Sequence, residues 1–222
     1  MKPSTSKSTH PRPIFPWLWG TILLHIVLHP LLGPFGAWAR YCLGFTESLL
    51  LGILVVVALR LRTRPAVCVP FAILVFVLTW GDLFAPAVVS GFLAQISRVV
   101  FYMLVLKHIF LSVLYSKDRS ADVLHGVVCL YLLIGLTWAT LYSLLNDLLP
   151  NAFVGIESSS DFTYFSFVTL TSLGYGDVRP LHSVCRVLAG LEATSGVLFS
   201  VLFVARMVIY LDYSPSRGEN GL

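Results

Sequence analysis

Residues 169–177 read Thr-Leu-Thr-Ser-Leu-Gly-Tyr-Gly-Asp, and this stretch decides how the rest of the chain is interpreted. It follows an apolar, aromatic segment that runs from Phe162 to Leu170. Gly174 and Gly176 flank a single residue, and glycine adopts positive φ angles without steric cost, so successive carbonyl groups can point the same way. In a membrane, such non-helical backbone is tolerated only where it is buried in protein or lines a water-filled path.

The composition indicates an integral membrane protein. Of the 222 residues, 57% are hydrophobic and only 12% are charged, whereas soluble domains carry about 25% charged residues. The net charge of +4 does not indicate nucleic-acid binding, because the basic residues are dispersed between apolar runs. The four cysteines form no CxxC pair and predict neither a disulfide framework nor a metal site. No nucleophile–base pair, metal cluster or phosphate loop is present, so an enzyme is not expected.

Six apolar runs are separated by polar segments: Trp17–Trp38, Leu43–Leu59, Ala66–Trp80, Ala87–Tyr115, Val123–Leu145 and Val184–Leu211. Each is interpreted as a transmembrane helix. The segment from Phe162 to Thr171 is too short to span a bilayer, and Ser159-Ser160-Asp161 before it offers good N-cap chemistry. We therefore expect a half-length helix that enters the membrane and returns. Its C-terminal end, at the negative end of the helix dipole, would favour a cation.

The first run leaves one alternative open. It contains Pro30, which predicts a kink, and it ends near Ala37-Trp38-Ala39, which has the form of a signal-peptide cleavage site. The run is longer than a signal core, so a retained helix is favoured. His25 and His29 lie four residues apart on one face, and without a third ligand they are interpreted as packing residues rather than as a metal site.

Basic residues fall on one side of the membrane if six helices alternate across it. These residues are Lys2, Lys7, Arg12, the cluster Arg60–Arg64, Lys117, Arg119 and Arg217. By the positive-inside rule, both termini are cytoplasmic and the re-entrant segment enters from outside. The expected location is the plasma membrane.

Residues Ser172-Leu173-Gly174-Tyr175-Gly176, followed by Asp177, resemble the potassium-channel signature, whose usual form is Thr-Val-Gly-Tyr-Gly. The departures are Ser172, which keeps the hydroxyl group, and Leu173, which stays apolar. The resemblance implies that residues 172–176, here called the filter, bind K⁺ through inward carbonyl oxygens together with Thr171. It also implies that Asp177 pins the filter, that four identical chains surround the ion, and that no cofactor is needed beyond K⁺ as the permeant ion.

The resemblance extends over about residues 123–212. Tyr131-Leu132-Leu133-Ile134-Gly135 is similar to the outer helix of small bacterial potassium channels, and their inner-helix pattern is matched by Pro180, Arg186, Gly190, Glu192 and Gly196.

The expected fold is all-α, with six transmembrane helices plus a re-entrant pore helix and selectivity filter between helices 5 and 6. The expected order is a cytoplasmic tail (1–16), a four-helix N-terminal membrane domain (17–116), a cytoplasmic linker (117–122), a pore domain (123–212) and a cytoplasmic tail (213–222). Within the pore domain we expect an outer helix at 123–148, a pore helix at 161–171, the filter at 172–176 and an inner helix at 183–211.

Glu192, Gly196, Phe199 and Phe203 share one helix face, because they are spaced at i, i+4, i+7 and i+11. If this face lines the cavity, Phe199 and Phe203 form a hydrophobic constriction; the alternative is ordinary packing between helices. The resemblance makes Gly196 a hinge of the inner helix. Glu192 either concentrates cations in the cavity or supports the filter through hydrogen bonds to hydroxyl groups such as those of Ser166 or Thr169.

The fourth run does not carry the charge pattern of a voltage sensor. Positions 98, 101, 104 and 107 read Arg, Phe, Leu and Lys, whereas a sensor needs several arginines at every third position. We expect Arg98 to pair with Asp82 or Glu47, and we expect weak voltage dependence or none.

The sequence thus favours a passive potassium-selective channel. A non-selective cation channel stays open, because Ser172 and Leu173 depart from the usual pattern. A subunit of a potassium transporter is less favoured, since such transporters carry several filter repeats in one chain. A regulatory membrane subunit is also less favoured, because the filter is intact.

Overall fold

The structure is a computed structural model that describes residues 15–32, 37–60, 65–84, 88–115 and 121–212. The predicted cytoplasmic tails and the predicted linker lie mostly outside the described residues. The described chain forms seven helices and two short strands: α1 Phe15–Leu32, α2 Ala37–Arg60, α3 Pro65–Phe84, α4 Val88–Tyr115, α5 Ala121–Leu148, β1 Phe153–Val154, α6 Ser160–Leu170, β2 Arg179–Pro180 and α7 Ser183–Asp212.

The protein is an all-α membrane protein. Within the described ranges, α1, α2, α4, α5 and α7 are long and apolar enough to cross a membrane. In α3 the apolar part is shorter, Val69–Gly81. The expected number of six membrane-spanning helices therefore stays a prediction.

The largest difference from the predicted boundaries lies between the first two helices. The sequence predicted one run from Trp17 to Trp38, but α1 ends at Leu32 and Trp38 already belongs to α2. Pro30, where a kink was predicted, lies inside α1, and residues 33–36 between α1 and α2 lie outside the described residues.

The first four helices pack in sequence order, and two of them also pack on the pore half. α1 contacts α2, α2 contacts α3, and α3 contacts α4, while both α1 and α4 lie against α5. A shared apolar core joins these helices, with Leu18, Ile22, Leu54, Phe101, Ile109 and Leu133 fully buried or nearly so. The N-terminal half is therefore attached directly to the outer helix of its own chain.

In the second half, α6 packs against both α5 and α7. A cluster of aromatic rings fills the space near the C-terminal end of α5, where Tyr142, Phe153, Phe162 and Phe165 meet in edge-on contacts. Such edge-to-face pairs add to the stabilisation from burial. β1 and β2 pair antiparallel in the register Phe153 with Pro180, which joins the loop before α6 to the segment after the filter.

Candidate functional site

The filter backbone alternates in the sign of φ. Ser172, Gly174 and Gly176 have φ angles of 58°, 57° and 82°, whereas Leu173 and Tyr175 are not among the described residues with positive φ. Alternation between right- and left-handed conformations turns successive peptide planes so that like groups share one side of the chain. The glycines predicted two of these three angles, and Ser172 adds a third that the sequence did not predict.

The start of the filter is tied to the end of α6. The N–H of Ser172 donates to the Thr169 carbonyl at 2.9 Å, and the N–H groups of Leu173 and Gly174 both donate to the Val168 carbonyl at 2.9 and 3.3 Å. The last carbonyls of a helix lack partners within the helix, and here the filter supplies them. The first three N–H groups of the filter thus donate to α6.

The carbonyl groups of the filter differ from its N–H groups in their hydrogen bonding. Within the described part of the chain, no hydrogen bond ends on a carbonyl oxygen of residues 172–176. The filter residues are all exposed in the single chain, and Tyr175 has 68% of its surface accessible. An unpaired carbonyl group is costly in an apolar medium, so these oxygens require water, a cation or another protein surface beside them.

Asp177 anchors the outer end of the filter. Its Oδ2 accepts a hydrogen bond from the Tyr164 hydroxyl at 2.6 Å, and its Oδ1 accepts one from the Val178 N–H at 2.9 Å. The hydrogen bond from Tyr164 holds the pKa of Asp177 below its usual value, because it favours the charged carboxylate. Tyr164 was not singled out in the sequence, since nothing local marks a residue thirteen positions before its partner.

Gly155 packs the loop before α6 against the same acid. It has a φ angle of 85°, and a Cβ at this position would overlap the Asp177 carbonyl oxygen. Only glycine meets both conditions without strain. Together with the β1–β2 pair, this contact holds the outer end of the filter from the side of the loop.

The start of α6 differs from the expected cap. Ser159 occupies the N-cap position but makes no side-chain capping hydrogen bond. Instead, the Asp161 carboxylate accepts hydrogen bonds from the backbone N–H groups of Glu157 and Ser158, both at 2.7 Å. The predicted side-chain cap is therefore wrong for Ser159, and Asp161 orders the preceding loop rather than the first turn.

Glu192 lies behind the filter in a closed hydrogen-bonded cluster. Its carboxylate is fully buried, with Oε1 at 2.5 Å from the Ser166 hydroxyl and Oε2 at 2.6 Å from the Tyr142 hydroxyl. Ser166 also contacts the Gly135 carbonyl oxygen at 2.8 Å. This one cluster therefore joins α5, α6 and α7. Of the two roles considered for Glu192, the geometry favours the hydrogen-bonded one, because both oxygens point into protein and not into a cavity.

The positions of Phe199 and Phe203 favour packing against α5 over the predicted constriction. The Phe199 ring lies 5.4 Å from the Tyr131 ring on α5, and Phe203 lines an apolar groove with Val127 and Tyr131 of that helix. The face of α7 that carries these residues is turned towards α5, because Glu192 on the same face bonds to α5 and α6. The alternative of ordinary packing is favoured.

Gly196 lies on that face and allows α7 to approach the end of α6. A Cβ at Gly196 would overlap the Leu170 carbonyl oxygen. Leu170 is the last residue of α6, so this glycine brings the inner helix against the point where the filter begins. Close packing of α7 on the end of α6 therefore explains why glycine stands at position 196, without a hinge.

The charges of α4 are arranged as expected for a structural pair. Arg98 contacts Glu47 of α2 at 3.0 Å, which matches one of the two predicted partners. The side chain of Asp82 lies outside the described residues.

His25 of α1 contacts the Thr46 hydroxyl at 3.2 Å. Within the described ranges, no group of three or more ligating residues could hold a metal.

A comparison with protein-family models matches residues 126–213 to a family described as "Ion channel", of the pore type with two transmembrane helices. No curated protein and no solved structure matches the chain. The matched region begins inside α5 and ends just after α7, so it contains the filter and the Glu192 cluster. The match indicates an ion channel, and together with the apolar helices it supports a multi-pass membrane protein.

Proposed function

We propose that four copies of this chain form a potassium-selective channel in the plasma membrane. The proposed pore passes K⁺ passively through a selectivity filter made of the backbone carbonyls of Thr171 to Gly176, with α6 as the pore helix and α7 as the inner helix. Both termini lie in the cytoplasm, and the filter faces the outside.

The single observation that carries the proposal is the pairing pattern of the filter backbone. Its first N–H groups are used by α6, whereas the carbonyl oxygens of residues 172–176 have no donor within the described chain. The alternating φ angles allow these oxygens to share one side. A row of oxygens of this kind can replace the hydration shell of an alkali cation.

The proposed number of copies follows from the exposure of the filter. One chain supplies one strand of carbonyl groups, which cannot surround an ion, and filters of this design use four strands. The filter residues are exposed on an otherwise membrane-embedded chain. Neighbouring copies around a central water-filled path would provide the environment that such backbone requires.

The surrounding contacts support a filter that keeps its shape. Asp177 is held by Tyr164 at the outer end, while Glu192, Ser166 and Tyr142 join the three helices behind it. A rigid frame is needed if the carbonyl oxygens are to stay at a fixed distance from the ion. We assign Asp177 and Glu192 to filter support and not to ion binding.

Flux measurements on purified protein in liposomes test this proposal. We expect K⁺ flux well above Na⁺ flux, with block by Ba²⁺. Gly174→Ala should abolish the K⁺ flux, because it would place a second strained side chain at positive φ in the filter, two residues after Ser172. Gly52→Ala is the matched control, since its Cβ would meet no atom within 4 Å and its φ is not positive. Absence of K⁺ flux in the unaltered protein would contradict the proposal.

A non-selective cation channel is the second candidate, and the Ser172 backbone is the observation that favours it. This position combines a positive φ angle with a side chain, and it is one of the two departures from the usual filter. Equal K⁺ and Na⁺ fluxes, both lost in Gly174→Ala, would establish this second function in place of the first.

A further inference from the structure

A groove of about 560 Å³ lies between the first helix and the outer face of α6. Ile26 and Pro30 of α1 form one wall, Thr163 and Phe167 of α6 form the other, and the groove reaches Thr171 and Leu173 beside the filter. The N-terminal half of the chain therefore extends to within contact of the proposed pore. None of the functions considered so far accounts for this position of α1.

The groove occupies the side of α6 that the chain's own pore half leaves uncovered. Phe162, Phe165, Ser166 and Leu170 are the buried residues of α6, and they face α5 and α7. Thr163 and Thr171 lie on a different side, whereas the half-buried ring of Phe167 between them packs on Gly135 of α5 and borders the groove. The uncovered side of α6 is continuous with the exposed filter. A surface that covers this side of α6 therefore also lies next to the filter.

The occupant of this groove is inferred from its position beside the filter. Most of its polar lining groups are already hydrogen-bonded within the chain, as Tyr164, Asp161 and Thr171 are, so the chemistry of the lining does not select the occupant. In the proposed four-fold channel, each filter faces the axis and has a neighbouring copy on either flank. A neighbouring copy is therefore the surface that lies next to Thr171 and Leu173.

We propose that the groove between α1 and α6 receives the adjacent copy of this chain, so that α1 is part of the subunit interface. This inference rests on the proposed tetramer. It assigns a role in assembly to the first membrane helix, and it explains why α1 packs on α5 of its own chain: this contact holds Pro30 at the flank of the filter.

Site-specific photocrosslinking in membranes tests this interface. The crosslinking amino acid p-benzoylphenylalanine is introduced at Pro30, which is exposed and lines the groove. Leu24 is the matched control, because it is exposed on a different face of the same helix. Leu198, exposed on α7, is the control for assembly of the pore half. We expect covalent oligomers up to the tetramer from position 30 and from position 198, with little product from position 24.

The outcomes separate the inference from the proposed function. Oligomers from position 198 with none from position 30 would overturn the α1 interface and leave the tetramer intact. Equal products from positions 24 and 30 would also overturn it, since contact would then not depend on the groove. A lack of oligomers from all three positions would contradict the tetramer and the interface together.

Discussion

The carboxylate of Glu192 lies 2.5 Å from the hydroxyl of Ser166, which joins the inner helix to the helix that precedes the filter. The same hydroxyl lies 2.8 Å from the Gly135 carbonyl oxygen. A serine hydroxyl carries one proton, so it cannot donate to both oxygens at once. All the contacts are satisfied if Glu192 itself carries a proton and donates to Ser166, while Ser166 donates to Gly135 and Tyr142 donates to Glu192.

We accordingly predict that Glu192 is a neutral carboxylic acid in the assembled protein at neutral pH. Infrared difference spectra between the unaltered protein and Glu192→Gln should show the carbonyl band of a protonated carboxyl group, which the variant lacks. Glu192→Gln should keep the assembly stable, because an amide can donate to Ser166 and accept from Tyr142. Glu192→Ala should lower the stability by about 1–3 kcal/mol for each hydroxyl left unpaired. A spectrum that shows only an ionised carboxylate would contradict this assignment.

The Tyr164–Asp177 hydrogen bond predicts a dependence of conduction on acid. Because the pKa of Asp177 is lowered, the contact with the ionised carboxylate persists below the ordinary aspartate pKa and is lost as the pH falls through the lowered value. Tyr164→Phe removes the main cause of the lowering. In this variant the loss of K⁺ flux on external acidification should therefore begin at a higher pH.

The measurement is K⁺ flux into liposomes as a function of external pH. Tyr131→Phe serves as the control, since this half-buried tyrosine packs against Phe199 on α7 and not against Asp177. Identical acid profiles for Tyr164→Phe and the unaltered protein would show that the hydrogen bond does not stabilise the conducting filter.

Gly196 predicts a stability effect rather than a gating effect. Gly196→Ala places a Cβ against the Leu170 carbonyl oxygen, which is backbone at the end of α6 and cannot turn away. Overpacking of this kind typically costs about 1–3 kcal/mol. Gly190→Ala is the matched control on the same helix, because its Cβ would meet no atom within 4 Å. Thermal unfolding in detergent should separate the two variants. If Gly196→Ala is as stable as Gly190→Ala but alters open probability, the glycine acts as a hinge.

The Arg98–Glu47 pair predicts a flat conductance–voltage relation. Arg98 is held by an acid on α2 at 3.0 Å, and the positions at every third residue after it are Phe101, Leu104 and Lys107. Two charges so far apart move little charge across the field. Voltage steps on channels in planar bilayers should give a conductance that varies weakly with voltage. A steep relation would mean that α4 carries charge through the membrane despite its pairing.

The sequence predicted those features of the site that depend on local chemistry. Gly174 and Gly176 predicted positive φ angles, because glycine adopts such angles without steric cost. Ser172 was not predicted to share this conformation, because its backbone is held by a hydrogen bond to Thr169 that exists only once α6 has formed. The partners Tyr164 and Tyr142 were also missed, since their hydroxyls meet Asp177 and Glu192 only through the packing of separate helices.

Helical spacing correctly placed Glu192, Gly196, Phe199 and Phe203 on one face, but spacing does not tell which neighbour that face meets. The contacts with Tyr131 and Leu170 decide this point in favour of packing. The assignment of Trp38 to α2 was likewise missed, because the apolar run continues through Pro30 to Trp38 without a charge. Hydropathy indicates a span there, and it does not indicate where the helix ends.

The most direct test of the central claim is the reversal potential of single channels in planar bilayers, with K⁺ on one side and Na⁺ on the other. Carbonyl coordination by residues 172–176 predicts a potential shifted far in the direction expected for K⁺ selectivity, and a loss of that current in Gly174→Ala. A reversal potential near zero would contradict a potassium-selective filter.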